Sequence, residues 1–156
     1  MRQPLPNPIP LDEIRSAHER IKGKVNRTPL IRLYYDEFPE EIYLKLENLQ
    51  PIGSFKLRGA CNAMAMASKE ELTDGVYTAS AGNMAQGVAW NAKAMNLPCT
   101  VIVPEHAPQT KLDAIIRLGA EYVKLPFGEW WQVLVDRKYQ GMKGLFCFDP
   151  VESMPQ

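Results

Sequence analysis

The chain has 156 residues, enough for one domain with a core of its own. Its 18 basic and 18 acidic side chains balance, which argues against nucleic acid and anionic membrane surfaces as partners. No apolar run approaches the roughly 18 residues of a membrane span, the first residues hold no apolar core of the signal-peptide kind, and no metal-type spacing is present.

Residues 1–10 are proline-rich and expected to be extended. Over 11–22, Leu11, Ile14, Ala17, His18 and Ile21 recur at helical spacing, with Asp12 and Glu13 in the first turn and Gly23 as the stop. His18 falls on or beside that apolar face, where packing is its expected role. Residues 27–33 read as a turn into a short strand, and 36–41 as a polar loop. Residues 42–47 alternate as a strand does. Pro51 and Gly53 mark a turn, and 55–67 reads as a helix rich in Ala and Met. A short capped turn at 68–72 leads to a strand at 76–79 and a helix at 83–95, broken by Asn96, Leu97 and Pro98. The apolar run 99–104 has the character of a strand buried on both faces. Helix 108–118 stops at Gly119, strand 121–125 and helix 128–139 follow, and 144–148 begins a further strand. Of Trp130 and Trp131, one ring is expected in the core and one near the surface.

Counted from strand 42–47, strands alternate with helices, which predicts an α/β fold with a mainly parallel open sheet, flanking helices and right-handed crossovers. Cys61, Cys99 and Cys147 are odd in number and widely spaced. They read as buried thiols in a reducing, cytoplasmic compartment.

The stretch 51–59, Pro-Ile-Gly-Ser-Phe-Lys-Leu-Arg-Gly, puts Lys56 in the first turn of a helix, just after a strand and a tight turn. Helix N-termini and burial both favour a neutral amine over an ammonium. A neutral amine is what imine formation with an aldehyde needs. Phe55 beside it offers a flat apolar face. Position alone fits a surface lysine at a helix start better than a catalytic one. Residues 80–83, Ser-Ala-Gly-Asn, open the next helix, where free N–H groups favour an anion. Taken by themselves, these residues fit a plain polar cap before Met84 better. Arg58 presents a similar choice, its simple alternative being a solvated helix charge.

Two segments narrow the choice. Lys45-Leu46-Glu47-Asn48 followed by 51–60, and the later segment Thr78-Ala79-Ser80-Ala81-Gly82-Asn83-Met84-Ala85-Gln86-Gly87-Val88-Ala89, resemble the pyridoxal-phosphate enzymes of the tryptophan-synthase-β fold type. They are most similar to the threonine/serine dehydratases and serine racemases. The resemblance runs from about residue 27 to 148 and covers only the N-terminal half of such an enzyme. It divides the chain into an extension and helix (1–26), an α/β cofactor-lysine domain belonging to a two-domain enzyme (27–148), and a truncated tail (149–156). It implies pyridoxal 5′-phosphate as cofactor, with Lys56 as the Schiff-base and proton-moving lysine. Phe55 would lie against the ring and Asn83 would bond its 3′-oxygen. Ser54, Ser80, Ala81, Gly82 and Asn83 would hold the substrate carboxylate. Gln86 and Gly87 look like close-packing and loop-support positions.

The implied reaction is β-elimination of water from a small hydroxy amino acid, giving a 2-oxo acid and ammonia. Serine racemases of the family usually carry a serine at the position of Ala81, so its absence suits elimination over racemisation. Met84 stands where many members have His. No glycine-rich run is present to cradle a phosphate, so weak cofactor binding by the chain alone is expected. Apolar surface left uncovered favours self-association or pairing with a full-length homologue. The alternative reading is a truncated, inactive homologue acting as a binding or regulatory partner.

Overall fold

The computed structural model describes residues 8–35 and 40–147. The expectations for 1–7, for 36–39 of the polar loop, for Phe148 and for the tail 149–156 lie outside the described residues.

Four strands form a parallel sheet in the order β5-β4-β3-β6: β3 (Val76–Ala79), β4 (Cys99–Pro104), β5 (Glu121–Leu125) and β6 (Leu145–Phe146). The register sets Thr78 beside Val101 and Ile102 beside Val123. Helices α2 (Lys56–Met66), α3 (Asn83–Ala94), α4 (Gln109–Arg117) and α5 (Phe127–Asp136) flank it. The period-two alternation of each strand divides the core between two faces. Val101 and Val103 of β4 pack with Met64, Val88, Leu112 and Ile115 from α2, α3 and α4. Ile102, pointing the other way, packs with Tyr77, Leu125 and Val133, the last from α5. All three β4 side chains are fully buried, and each such burial stabilises the fold by about 1.5–3 kcal/mol. The near-continuous apolar run at 99–104 is the consequence of having helices on both faces.

The strand at 42–47 departs from expectation. It runs only over β2 (Ile42–Lys45) and pairs antiparallel with β1 (Leu30–Leu33), Leu30 opposite Lys45 and Leu33 opposite Ile42. It therefore does not open the parallel series. Alternation identifies a strand but not its partner, and residues 34–41 between β1 and β2 are too few for the crossover of roughly a dozen residues that a parallel pair needs. Glu47–Leu49 follows as a single 3-10 turn.

Other boundaries shift by a residue or a few. Helix α5 ends at Asp136 because Arg137 turns into the left-handed region at φ 52°. Helix α1 (Leu11–Ile21) buries only Ile21, against Leu57 and Cys61, and ties Arg20 Nε to Asn62 Oδ1 at 2.8 Å. His18 is exposed, contrary to its expected packing role; it lies in the last turn of α1, but Ile21 and Arg20 are the side chains of that turn that reach α2. Trp130 packs into the α5 face and donates Nε1–H to the Ile102 carbonyl at 3.1 Å, whereas Trp131 is about half exposed, as expected. The three cysteines are free and buried. Burial pushes the Cys61 thiol up to about 11 and the Cys99 thiol up to about 12. Cys147 rises to about 12, through burial first and the neighbouring Cys99 second. No helix among the described residues is long and apolar enough to cross a membrane.

Candidate functional site

The route from β2 into α2 is a sequence of small constraints. Gly53 donates its N–H to the Gln50 carbonyl at 2.7 Å and sits at φ +68°, a conformation that suits glycine. The chain then enters α2 through buried Ser54. Its hydroxyl accepts the Lys56 N–H at 3.3 Å and its carbonyl accepts the Leu57 N–H at 3.4 Å. Ser54 thus satisfies donors that a helix start leaves open. Phe55 already has helical dihedrals and is 55% exposed. Lys56, half-buried, opens the helix, with Nζ 5.3 Å from the centroid of the Phe55 ring.

Around this turn lies a polar cluster that local sequence patterns do not reveal. Arg58 grips Glu47 with two bonds, Nε to Oε2 at 2.8 Å and Nη2 to Oε1 at 2.7 Å. Its Nη2 also donates to the Asn26 carbonyl at 3.1 Å. Thr28 Oγ1 donates to Glu47 Oε1, and Gln50 Nε2 donates to Glu47 Oε2 at 3.2 Å. Gln50, itself buried, also pairs with the Asn26 backbone, accepting its N–H at 3.0 Å and donating to its carbonyl at 2.9 Å. Lys45 Nζ donates to the Thr28 carbonyl. Arg58 is therefore an ion-pair partner rather than a solvated charge. The Arg58 hydrogen bonds hold the Glu47 carboxyl down at about 2, against partial burial and with help from Thr28 and Gln50. The Glu47 hydrogen bond in turn holds the Arg58 guanidinium above its ordinary value.

The second segment leaves β3. Ser80 donates its N–H to the Ile102 carbonyl at 3.0 Å, extending the ladder by one residue. Its hydroxyl accepts the Gly82 N–H at 3.2 Å, and it makes no side-chain cap on α3. The polar-cap reading of 80–83 therefore does not describe Ser80, which closes a local turn instead. Gly82 precedes the helix, and Gln86 donates to its carbonyl at 3.4 Å as the first turn closes. The N–H groups of Asn83, Met84 and Ala85 come before that bond, so helix geometry leaves them without an intrahelical acceptor. Ser80, Ala81 and Gly82 are half-buried and Asn83 is exposed. Met84 is buried in the core, a role that its thioether fills without needing polar partners.

Gly87 joins the two segments. A Cβ placed there would lie 3.2 Å from Ala60 Cβ, 3.4 Å from the Lys56 carbonyl and 3.5 Å from Leu57 Cα. The absence of a side chain lets α3 close onto the first turn of α2. One helical turn separates Gly87 from Asn83, so Ser54–Lys56 and Ser80–Asn83 open on the same end of the helix pair. The second lies just beyond the carboxyl end of β3, the end at which open α/β sheets bind ligands.

This donor set suits a flat aldehyde-bearing cofactor and an anionic amino acid: one amine, one exposed ring, and a row of N–H groups without intrahelical acceptors. No two glycines are adjacent anywhere in the sequence, so no glycine run of this chain cradles a phosphate.

Comparison with known proteins agrees with this chemistry. The family model for pyridoxal-phosphate dependent enzymes matches residues 21–144. The serine racemase of Dictyostelium discoideum is 42% identical over 118 residues, which are 74% of this chain and 36% of that protein. The L-threonine ammonia-lyase of Thermotoga maritima is 45% identical over 119 residues, 74% of this chain and 29% of that protein. Among solved structures, the T.th. threonine deaminase superposes with a TM-score of 0.76 at 29% identity, over 91% of this chain and 46% of that one. The Dictyostelium discoideum serine racemase structure gives a TM-score of 0.74 at 37% identity, over 86% and 45%. The chain thus spans about a third of the length of these curated relatives and under half of the solved chains. On a lysine-bearing helix start, a parallel sheet flanked by helices and a family match over most of its length, the chain belongs to the pyridoxal-phosphate dependent enzyme family.

Proposed function

We propose that this chain is the lysine-bearing half of a two-domain ammonia-lyase that eliminates water from a small hydroxy amino acid, giving a 2-oxo acid and ammonia. The observation that carries the reading is the close α2–α3 contact at Gly87, which gathers the Lys56 turn and the 80–83 turn at one end of the helix pair. Pyridoxal phosphate, when bound, supplies the electron sink. The residues of this chain do the rest. Lys56 would hold the cofactor through its amine and would accept the substrate's α-proton. Phe55 and Asn83 would help to hold the cofactor ring, Phe55 through its exposed flat face and Asn83 as a hydrogen-bonding side chain at the start of α3. Ser54 and Ser80–Asn83 hold the substrate carboxylate, whose charge suits the N–H groups at the start of α3. Ala81 offers no second proton-moving group, so elimination is favoured over racemisation.

The remaining half supplies the phosphate cradle, and this chain alone binds cofactor weakly. The β1–β2 ribbon supports that division. Leu30, Ile31, Leu33, Tyr43 and Leu44 are all exposed, and two strands alone are marginally stable in water. Covering them takes the other half or a second copy.

Borohydride reduction in the presence of pyridoxal phosphate, followed by peptide mapping, tests the site. The label is expected on Lys56 and lost in Lys56→Ala. A label spread evenly over the lysines would overturn the assignment. Joined to the C-terminal half of a threonine ammonia-lyase, the chain is expected to form oxo acid from L-serine or L-threonine faster than D-serine. Faster D-serine formation would overturn the elimination reading.

A further inference from the structure

We infer that the Glu47–Arg58 ion pair is a clasp that positions Lys56, holding the turn in front of it closed without touching any reacting atom. The inference rests on the reading of Lys56 as the cofactor lysine. Its geometry is independent of that reading.

The turn 47–58 leaves one secondary element and enters another, and the pair closes it at its two ends through two short, charge-assisted bonds. Arg58 lies two residues after Lys56 on α2. Two positions on a helix are about 200° apart, so the two side chains leave opposite sides of the axis. A pull on Arg58 therefore fixes the back of the helix start while Lys56 leaves from the front. The third side is fixed by Gly87 against the Lys56 carbonyl. The clasp also reaches outward. Arg58 Nη2 and Gln50 Nε2 both donate to the Asn26 carbonyl, and Thr28 donates to Glu47, so the segment 26–28 is bound into the same knot. Gln50 then accepts the Gly53 N–H on its own carbonyl, carrying the constraint to the glycine that turns the chain toward Ser54.

Other contacts at the turn are weaker. Ser54 offers Lys56 one bond at 3.3 Å between neutral groups. Leu57 and Ile52 give burial but no direction. The guanidinium–carboxylate fork is the contact here that sets an angle as well as a distance.

Hydrogen exchange of the ligand-free chain tests the clasp. In Arg58→Ala and in Glu47→Gln, amides within 51–57 are expected to exchange about tenfold faster than in the wild type, while 84–92 and 99–104 keep their protection. Arg58→Lys, which keeps the charge but not the fork, should fall between. Ethylguanidinium in solution should restore protection in Arg58→Ala and not in Glu47→Gln, a rescue that general loosening would not show. A second readout uses pyridoxal phosphate with borohydride. Labelling of Lys56 relative to the exposed Lys69 and Lys111 is expected to fall about tenfold in Arg58→Ala. Unchanged exchange at 51–57, or acceleration spread evenly through the chain, would overturn the clasp. A wild-type chain that carries no label at Lys56 would instead overturn the cofactor assignment, with the exchange data still deciding the clasp.

Discussion

Acidification should uncouple the Glu47 cluster before it unfolds the sheet. The carboxyl lies at about 2 in the folded chain against an ordinary 4.5, chiefly because Arg58 donates two hydrogen bonds to its charged form. The folded state thus holds its carboxylate unprotonated down to a pH at which the unfolded chain has taken up a proton. That sign makes the contribution full above pH 4.5, lost progressively as the pH falls toward 2, and absent below it. A gap of this size corresponds to roughly 3 kcal/mol. The Glu47 side chain is 17% exposed and that of Arg58 30%, so solvent screens part of the pair and on the order of 2 kcal/mol is expected. The assay is urea unfolding of the wild type and Glu47→Gln at a series of pH values from 7 to 2. The other carboxylates titrate in both proteins, so the difference between the two curves isolates Glu47. That difference is expected to be largest at neutral pH and to close as the pH falls through the window. A difference that stays constant, or that widens on acidification, would refute the reasoning.

Two further outcomes follow from the packing. Gly87→Val should destabilise the chain by about 1–3 kcal/mol, because even a Cβ there meets Ala60 at 3.2 Å and the backbone of Lys56 and Leu57 just beyond; a thermal melt with an unchanged or raised midpoint would show that α2 and α3 are not held at that distance. Iodoacetamide at pH 8 should label Cys61, Cys99 and Cys147 at least about a hundredfold more slowly in the folded chain than in urea, since burial both hides the thiols and pushes them up to about 11 or 12; fast labelling of the folded chain would contradict that burial.

What could be read from the sequence depended on whether the cause was local. The parallel sheet was legible because a strand covered on both faces must be almost wholly apolar, and 99–104 is apolar but for Thr100. The helix breaks were legible for the same reason: Gly119 sits at φ +83° and Asn96 at φ 55°, conformations that end helices. The antiparallel partner of 42–45 was not legible, since alternation carries no information about which strand lies alongside. Nor was the exposure of His18, because a helical stripe predicts a face and not how much of it finds a neighbour. Lys56 and the 80–83 turn stood out through two long motif matches. Glu47 did not stand out as a hub. Its partners Thr28, Gln50 and Arg58 lie 19, 3 and 11 positions away, and no single helix or strand spans them.

The lysine turn is therefore anchored to two parts of the molecule of unequal firmness. On one side, Leu57 and Ala60 are fully buried and Gly87 locks the backbone of α2 against α3, which in turn packs on β4. On the other side, the Glu47 cluster reaches Asn26 and Thr28, which lead into the exposed β1–β2 ribbon. A close-packed core yields little to local forces, whereas a two-stranded ribbon with both faces in water is marginally stable and opens readily. A partner laid against the ribbon would stiffen the cluster and, through Arg58, the start of α2. The geometry around Lys56 is set from the core side by packing and from the ribbon side by charge, and only the second of these responds to what lies against the ribbon.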